Sequence, residues 1–186
     1  LDVRLFAPDG ARPEAVDKNG QRFLRVTPPT SRADARFLAL LYPTTHDRPL
    51  PQVSPVRGDG IIGCQVGEDA VVWSSASGEW QHGALKTDAR LAAYRPSPRS
   101  VFAKSARVVA APPLGFRAEA PVTAILTDNE ARLVASAPTT IQFTAGYLGG
   151  AGVFVTDQDR DLRNDRRVAV VDGSGKVALP AGAFTV

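Results

Sequence analysis

The stretch FLALLY, Phe37 to Tyr42, most constrains the fold. It is an unbroken apolar run of strand length, stopped by Pro43, whose missing N–H cannot continue a ladder. A run of that length without polar alternation is expected as a strand buried on both faces. After a turn at Gly58, Asp59 and Gly60, the segment Ile61 to Val66 sets Ile62, Cys64 and Val66 on one face and Ile61, Gly63 and Gln65 on the other. Gly67, Glu68 and Asp69 then turn the chain into Ala70 to Ser75, the spacing of an antiparallel hairpin with a short loop. Asp88 to Tyr94 carries good helix formers, yet strands on both sides and Pro96 beyond it favour a strand there too.

The same punctuation runs through the rest of the chain. Leu1 to Phe6 alternates apolar and polar residues and stops at Pro8, Asp9 and Gly10, while Asn19 and Gly20 form a turn signal before Gln21 to Thr27. Pro43 to Pro55, with four prolines and His46, is expected as a long exposed loop. Pro96, Ser97, Pro98 and Arg99 read as a short stiff connector and the best internal boundary. Beyond it come Ser100 to Val109, Phe116, Val122 to Thr127, a turn at Asp128 and Asn129, then Ala131 to Ala135, Thr139 to Thr144 and Gly152 to Thr156. Arg167 to Val171, the turn Asp172 to Gly175, and Lys176 to Leu179 read as a closing hairpin. Strands recurring at roughly 8 to 12-residue intervals predict an all-β fold, an antiparallel β-sandwich, here as two packed sandwich units.

Composition excludes several classes. A chain of 186 residues, 44% hydrophobic and 22% charged, can bury a core. No apolar segment approaches the roughly 18 residues of a membrane span, and Leu1 opens on a strand pattern rather than a signal peptide. The chain neither begins with Met nor contains one, so a mature chain or a piece of a longer protein is expected. Eighteen Arg against four Lys suits bidentate contacts to carboxylate or sulfate. They are scattered, except at Arg160, Arg163, Arg166 and Arg167, and no basic stripe with interleaved aromatics points to nucleic acid. The one cysteine, Cys64, forms no internal disulfide and is expected as a small core residue.

Residues able to carry chemistry are few. His46 and His82, the only histidines, lack metal-ligand spacing, and no Gly-x-Ser-x-Gly elbow accompanies them. The glycines of GYLGGAG precede a strand, so a turn is expected rather than a phosphate cradle. Asp157, Asp159, Asp161 and Asp165 alternate as ligands of a structural calcium would, against which a solvated, salt-bridged loop competes. Leu162 and Val168 stand where an EF-hand needs Gly and Glu. Among the aromatics, Trp73 is expected in the core and Trp80, in the turn SGEWQHG, to be partly exposed. Trp80, His82 and Tyr94 are therefore the glycan-binding candidates.

FLALLYPTT, DGIIGCQVGEDAVVWSS and KTDARLAAYR together resemble the carboxyl-terminal β region of heparinase II/III-like polysaccharide lyases. The likeness rests on Phe37, Leu38, Leu41, Tyr42 and Pro43, on Gly63 and Val66, on Asp69, Val71 and Val72, and on Thr87, Asp88, Ala89 and Arg90. It covers about a third of the chain and consists of strand and turn patterns. The resemblance implies that residues 1–95 are the last strands of a central β-sandwich and 96–186 a small terminal one. It also implies a helical toroid and the rest of the central sandwich upstream as partners, an acidic polysaccharide as substrate, and a periplasmic or secreted location. Such lyases cleave uronate-containing polysaccharide by β-elimination, with a carboxylate neutraliser, a base and an acid. Those residues precede Leu1 in the family pattern, so no catalytic residue carries over to this chain. The competing expectation is an independent glycan-binding or structural β-sandwich module.

Overall fold

The computed structural model describes residues 2–7, 11–28, 38–42, 51–155 and 167–186, and every regular element among them is a strand. In chain order these are β1 (Asp2–Ala7), β2 (Arg12–Lys18), β3 (Gln21–Thr27), β4 (Leu38–Tyr42), β5 (Val53–Gly58), β6 (Ile61–Val66), β7 (Asp69–Ser74), β8 (Trp80–His82) and β9 (Leu85–Thr87). They continue as β10 (Leu91–Pro96), β11 (Arg99–Ala111), β12 (Leu114–Thr127), β13 (Ala131–Ala135), β14 (Thr139–Phe143), β15 (Gly152–Val155), β16 (Arg167–Val170), β17 (Lys176–Leu179) and β18 (Gly182–Thr185). All pairings are antiparallel, as an all-β sandwich requires.

Two small units are self-contained ladders: β1 with β4, and the hairpin of β2 and β3. That hairpin closes on Asn19 and Gly20, both at positive φ (54° and 75°), the backbone a two-residue turn demands. The other fourteen strands form one forked sheet. Its larger branch runs β16-β15-β18-β13-β12-β11-β10-β7-β6-β5. The smaller branch leaves the far ends of the two longest strands, where β11 pairs β9 and β12 pairs β14, and β8 and β17 complete it.

The fork is written into β11 and β12. Their register slips between Ala103 and Ala106 and again between Ala106 and Val108, with Ser105 at φ 55°. Slips of this kind bend a strand and leave backbone donors without ladder partners. Neighbouring side chains take them up. Asp88 Oδ1 accepts the N–H of Arg107 (2.8 Å) and Val108 (2.9 Å), Thr123 Oγ1 accepts that of Ser105, and Thr139 Oγ1 that of Ala120. Thr87, fully buried, donates its hydroxyl to the Val108 carbonyl at 2.6 Å.

The branches enclose one core. Val72, Val101, Leu126, Leu133 and Phe184 from the larger branch meet Leu85, Phe116, Ile141, Phe143 and Val177 from the smaller. Strict alternation of buried and exposed residues along β13 and β17 expresses the two-residue period of a strand with one face covered. Cys64 is buried, but it stands opposite Val71 on the other face of the sheet and is not part of this core.

Several expectations need correction. Leu38–Tyr42 is a strand, but Ala39 is exposed, so the run is not covered on both faces at that position; Phe37 lies outside the described residues. Pro96 to Arg99 is the turn of the β10–β11 hairpin rather than a connector, with Pro96 opposite Arg99 and the ladder continuous through Leu91 and Lys104. Hydrogen bonding therefore crosses from 95 to 96. The closing hairpin does not form either. Asp172 builds the expected tight turn, but β16 pairs β15 and β17 pairs β14, so the turn carries the chain from one branch to the other. Pro55, placed in an exposed loop, sits in β5 at the edge of the sheet, where a missing N–H breaks no ladder. The remainder of that loop, residues 43–50 with His46, lies outside the described residues.

Candidate functional site

The predicted glycan residues are not brought together. Trp80 is 7% exposed rather than partly open. It anchors β8 to the core and donates its indole N–H to the Ala89 carbonyl at 2.8 Å, so no face is offered to a sugar. His82 is half-buried two residues along the same short strand, in the smaller branch. Tyr94 is half-buried in β10 of the larger branch and packs on the core. Trp73, expected in the core, is only half-buried, which reverses the two tryptophans. Asp157, Asp159, Asp161 and Asp165 lie outside the described residues; among the described residues no three His, Cys, Asp or Glu gather as a metal site.

Each branch carries a groove on its outer face. On the larger branch a groove of about 300 Å³ is floored by Val71, Ala93, Phe102 and Ile125. These side chains are adjacent because the register sets Val71 opposite Ala93, Ala93 opposite Phe102, and Phe102 opposite Ile125. At one end Arg95 clasps Asp69 with Nε and Nη2, the shortest contact being 2.9 Å. That clasp uses the groove's charges on each other. Val71, Ile125 and Val134 are 36%, 44% and 53% exposed, so an apolar strip of this face is open, with the exposed Arg132 opposite Ile125 and the exposed Lys104 beside Phe102.

On the smaller branch a second groove of about 250 Å³ runs over Val108, Ala110, Arg117, Gln142 and Thr144. Ala110, opposite Gly115 in the ladder, contributes only a methyl group to its floor. Gly115 is required there by close approach: a Cβ would stand 2.5 Å from the Val109 carbonyl oxygen and 2.8 Å from Thr144 Oγ1. Along one wall the register aligns Val108, Arg117, Gln142 and Lys176 across β11, β12, β14 and β17. Gln142 is held by its amide, which donates to the Ser174 carbonyl at 2.6 Å. On the other side Lys86, opposite Ala110, pairs with Glu79 at 2.7 Å. Lys86 pulls the Glu79 carboxyl below its usual range, first by its hydrogen bond and then by its charge, with a smaller contribution from Arg117.

Arg117, Gln142 and Lys176 were not singled out in the sequence. Alternation along Leu114–Thr127 already sets Arg117 on the outer face, but its alignment with Gln142 and Lys176 follows from a register that joins residues far apart in the chain. No protein-family model matches the chain, and no curated protein matches it.

Proposed function

We propose that the chain is a non-catalytic β-sandwich region of a heparinase II/III-like polysaccharide lyase acting in the periplasm or outside the cell. In this reading the base, acid and carboxylate neutraliser for β-elimination of a uronate-containing polysaccharide belong to parts of the protein that precede this chain. The observation that carries it is the open apolar face of the larger branch: Val71, Ala93, Phe102, Ile125 and Val134 lie on the side opposite the core. An exposed apolar strip on the second side of a sheet suits a surface covered by more protein, with charged residues such as Arg132 and Lys104 at its margins. A supporting sandwich packed against the rest of a lyase has that character.

The test pairs an activity assay with a surface assay. Incubated with alginate, heparin, heparan sulfate or hyaluronan, the chain alone is expected to generate no ultraviolet absorbance from unsaturated uronate ends. It is also expected to bind a hydrophobic dye and self-associate, both relieved by Ile125→Lys with Val134→Lys. Absorbance from the chain alone, lost on substituting His82 or Tyr94, overturns the reading, and so does a monomeric chain that ignores the dye.

A further inference from the structure

We infer that the trough on the smaller branch is a binding site for an unsulfated, carboxylate-bearing sugar, with Arg117 receiving the carboxylate. The inference rests on the acidic-polysaccharide part of the reading above and assigns it a place in the fold. Arg117 is exposed, and no described residue forms a salt bridge with it. By contrast, Arg95, Arg99 and Arg132 are held by Asp69, Asp128 and Glu130. The Arg117 guanidinium acts on Glu79 through charge without pairing with it, and the fork keeps two parallel N–H donors for one carboxylate.

The surroundings fit a sugar ring rather than a bare ion. Val108 and Ala110 give a low apolar floor on which a pyranose face can lie. Thr144 places a hydroxyl along the same trough, and Gln142, its nitrogen held by the Ser174 carbonyl, adds an amide oxygen. Lys176 lies two strands beyond Arg117, about 10 Å away at ordinary strand spacing, so a neighbouring acidic sugar of the same polymer meets a second cation.

The carboxylates around the trough set the charge it accepts. Glu119 is exposed two residues along β12 on the face of Arg117, Glu79 is engaged with Lys86, and Asp172 closes the turn that leads into Lys176. Negative charge at these margins repels a densely sulfated chain, while one carboxylate on Arg117 is matched. Selectivity for uronan over polysulfated glycan follows from that arrangement.

The experiment titrates the chain with oligomannuronate tetrasaccharide, heparin tetrasaccharide and neutral cellotetraose, following backbone amide resonances and, in parallel, heat of binding. Oligomannuronate is expected to shift Val108, Ala110, Gly115 and Gln142, with cellotetraose and heparin weaker by roughly tenfold or more, a gap the size of one charge-assisted contact. Arg117→Ala is expected to remove about tenfold in affinity, and Arg117→Lys to restore part of it through charge without the fork. Ala110→Leu fills the trough and is expected to abolish binding, with a melting temperature close to the parent's confirming the fold. Equal binding of all three sugars overturns the carboxylate assignment. Shifts confined to the larger branch, or affinity indifferent to Arg117, overturn the site. None of these outcomes bears on the activity and dye assays that decide the lyase reading.

Discussion

The indole N–H of Trp80 meets the carbonyl of Ala89 at 2.8 Å, tying the three-residue strand β8 to a residue that is itself fully buried. Replacing Trp80 by Phe keeps most of the apolar contact but strands the Ala89 carbonyl away from water, and a cost of about 1–3 kcal/mol is expected. Trp80→Ala adds a cavity, raising the loss to about 3–5 kcal/mol. Urea unfolding of the two variants separates these contributions.

Asp88 does with one oxygen what a ladder would otherwise do with two carbonyls, since Oδ1 accepts from both Arg107 and Val108 at the bend of β11. Asp88→Ala leaves both donors unpaired and is expected to destabilise the fold by about 1–3 kcal/mol. Asp88→Asn retains an accepting oxygen and is expected to recover at least half of that. Hydrogen exchange at Arg107 and Val108 should rise in Asp88→Ala and remain slow in Asp88→Asn.

Tyr147 is 5% exposed, with its hydroxyl oxygen 2.8 Å from the Thr127 carbonyl and 2.9 Å from that of Glu130. Burial, reinforced by the nearby carboxylates of Asp128 and Glu130, raises its pKa well above the ordinary tyrosine value. Below about pH 10 both folded and unfolded chains keep the proton and the contribution is fully present. Above it the unfolded chain releases the proton while the folded chain holds it, so stability falls as pH rises. Tyr147→Phe is expected to cost about 1–2 kcal/mol at neutral pH and to flatten the alkaline fall. Urea midpoints measured from about pH 8 to 11 check both.

Much of the strand pattern was legible, and the reasons for the misses are physical. Gln21–Thr27, Ile61–Val66 and Ala131–Ala135 follow the expected limits because turn residues bound them and alternation fills them. β8 and β9 escaped because three residues carry too little periodicity to declare a strand. The turn at Asp172 was correctly placed from its local chemistry, but strand partners are chosen by the core: Val177 and Leu179 are buried in the smaller branch with β14, so β17 leaves β16. Trp80 misled for a related reason: the polar residues of SGEWQHG describe the turn, while the indole reaches past it to Ala89. The trough was out of reach, being a property of the Val108, Arg117 and Gln142 register and not of any one segment.

Two glycines separate packing from composition. A Cβ on Gly63 would collide with the Val71 carbonyl oxygen of the neighbouring strand, and that backbone cannot retreat without breaking the ladder. Gly63→Ala is expected to cost about 1–3 kcal/mol by overpacking. At Gly78, exposed and with nothing near the added carbon, the same change is expected to be neutral within about 0.5 kcal/mol. Thermal melts of the two variants, read side by side, provide the comparison.

The passage of β11 and β12 through both branches also determines how the sandwich carries a load. A sheet joined to its neighbour only by loops and side-chain packing can slide across it, but here two continuous strands, pinned at the bend by Asp88 and Thr123, make the branches parts of one frame. Pulling on either branch stretches covalent backbone common to the other. Rupture under tension is therefore expected as a single event at the fork rather than a peeling of one layer from the next.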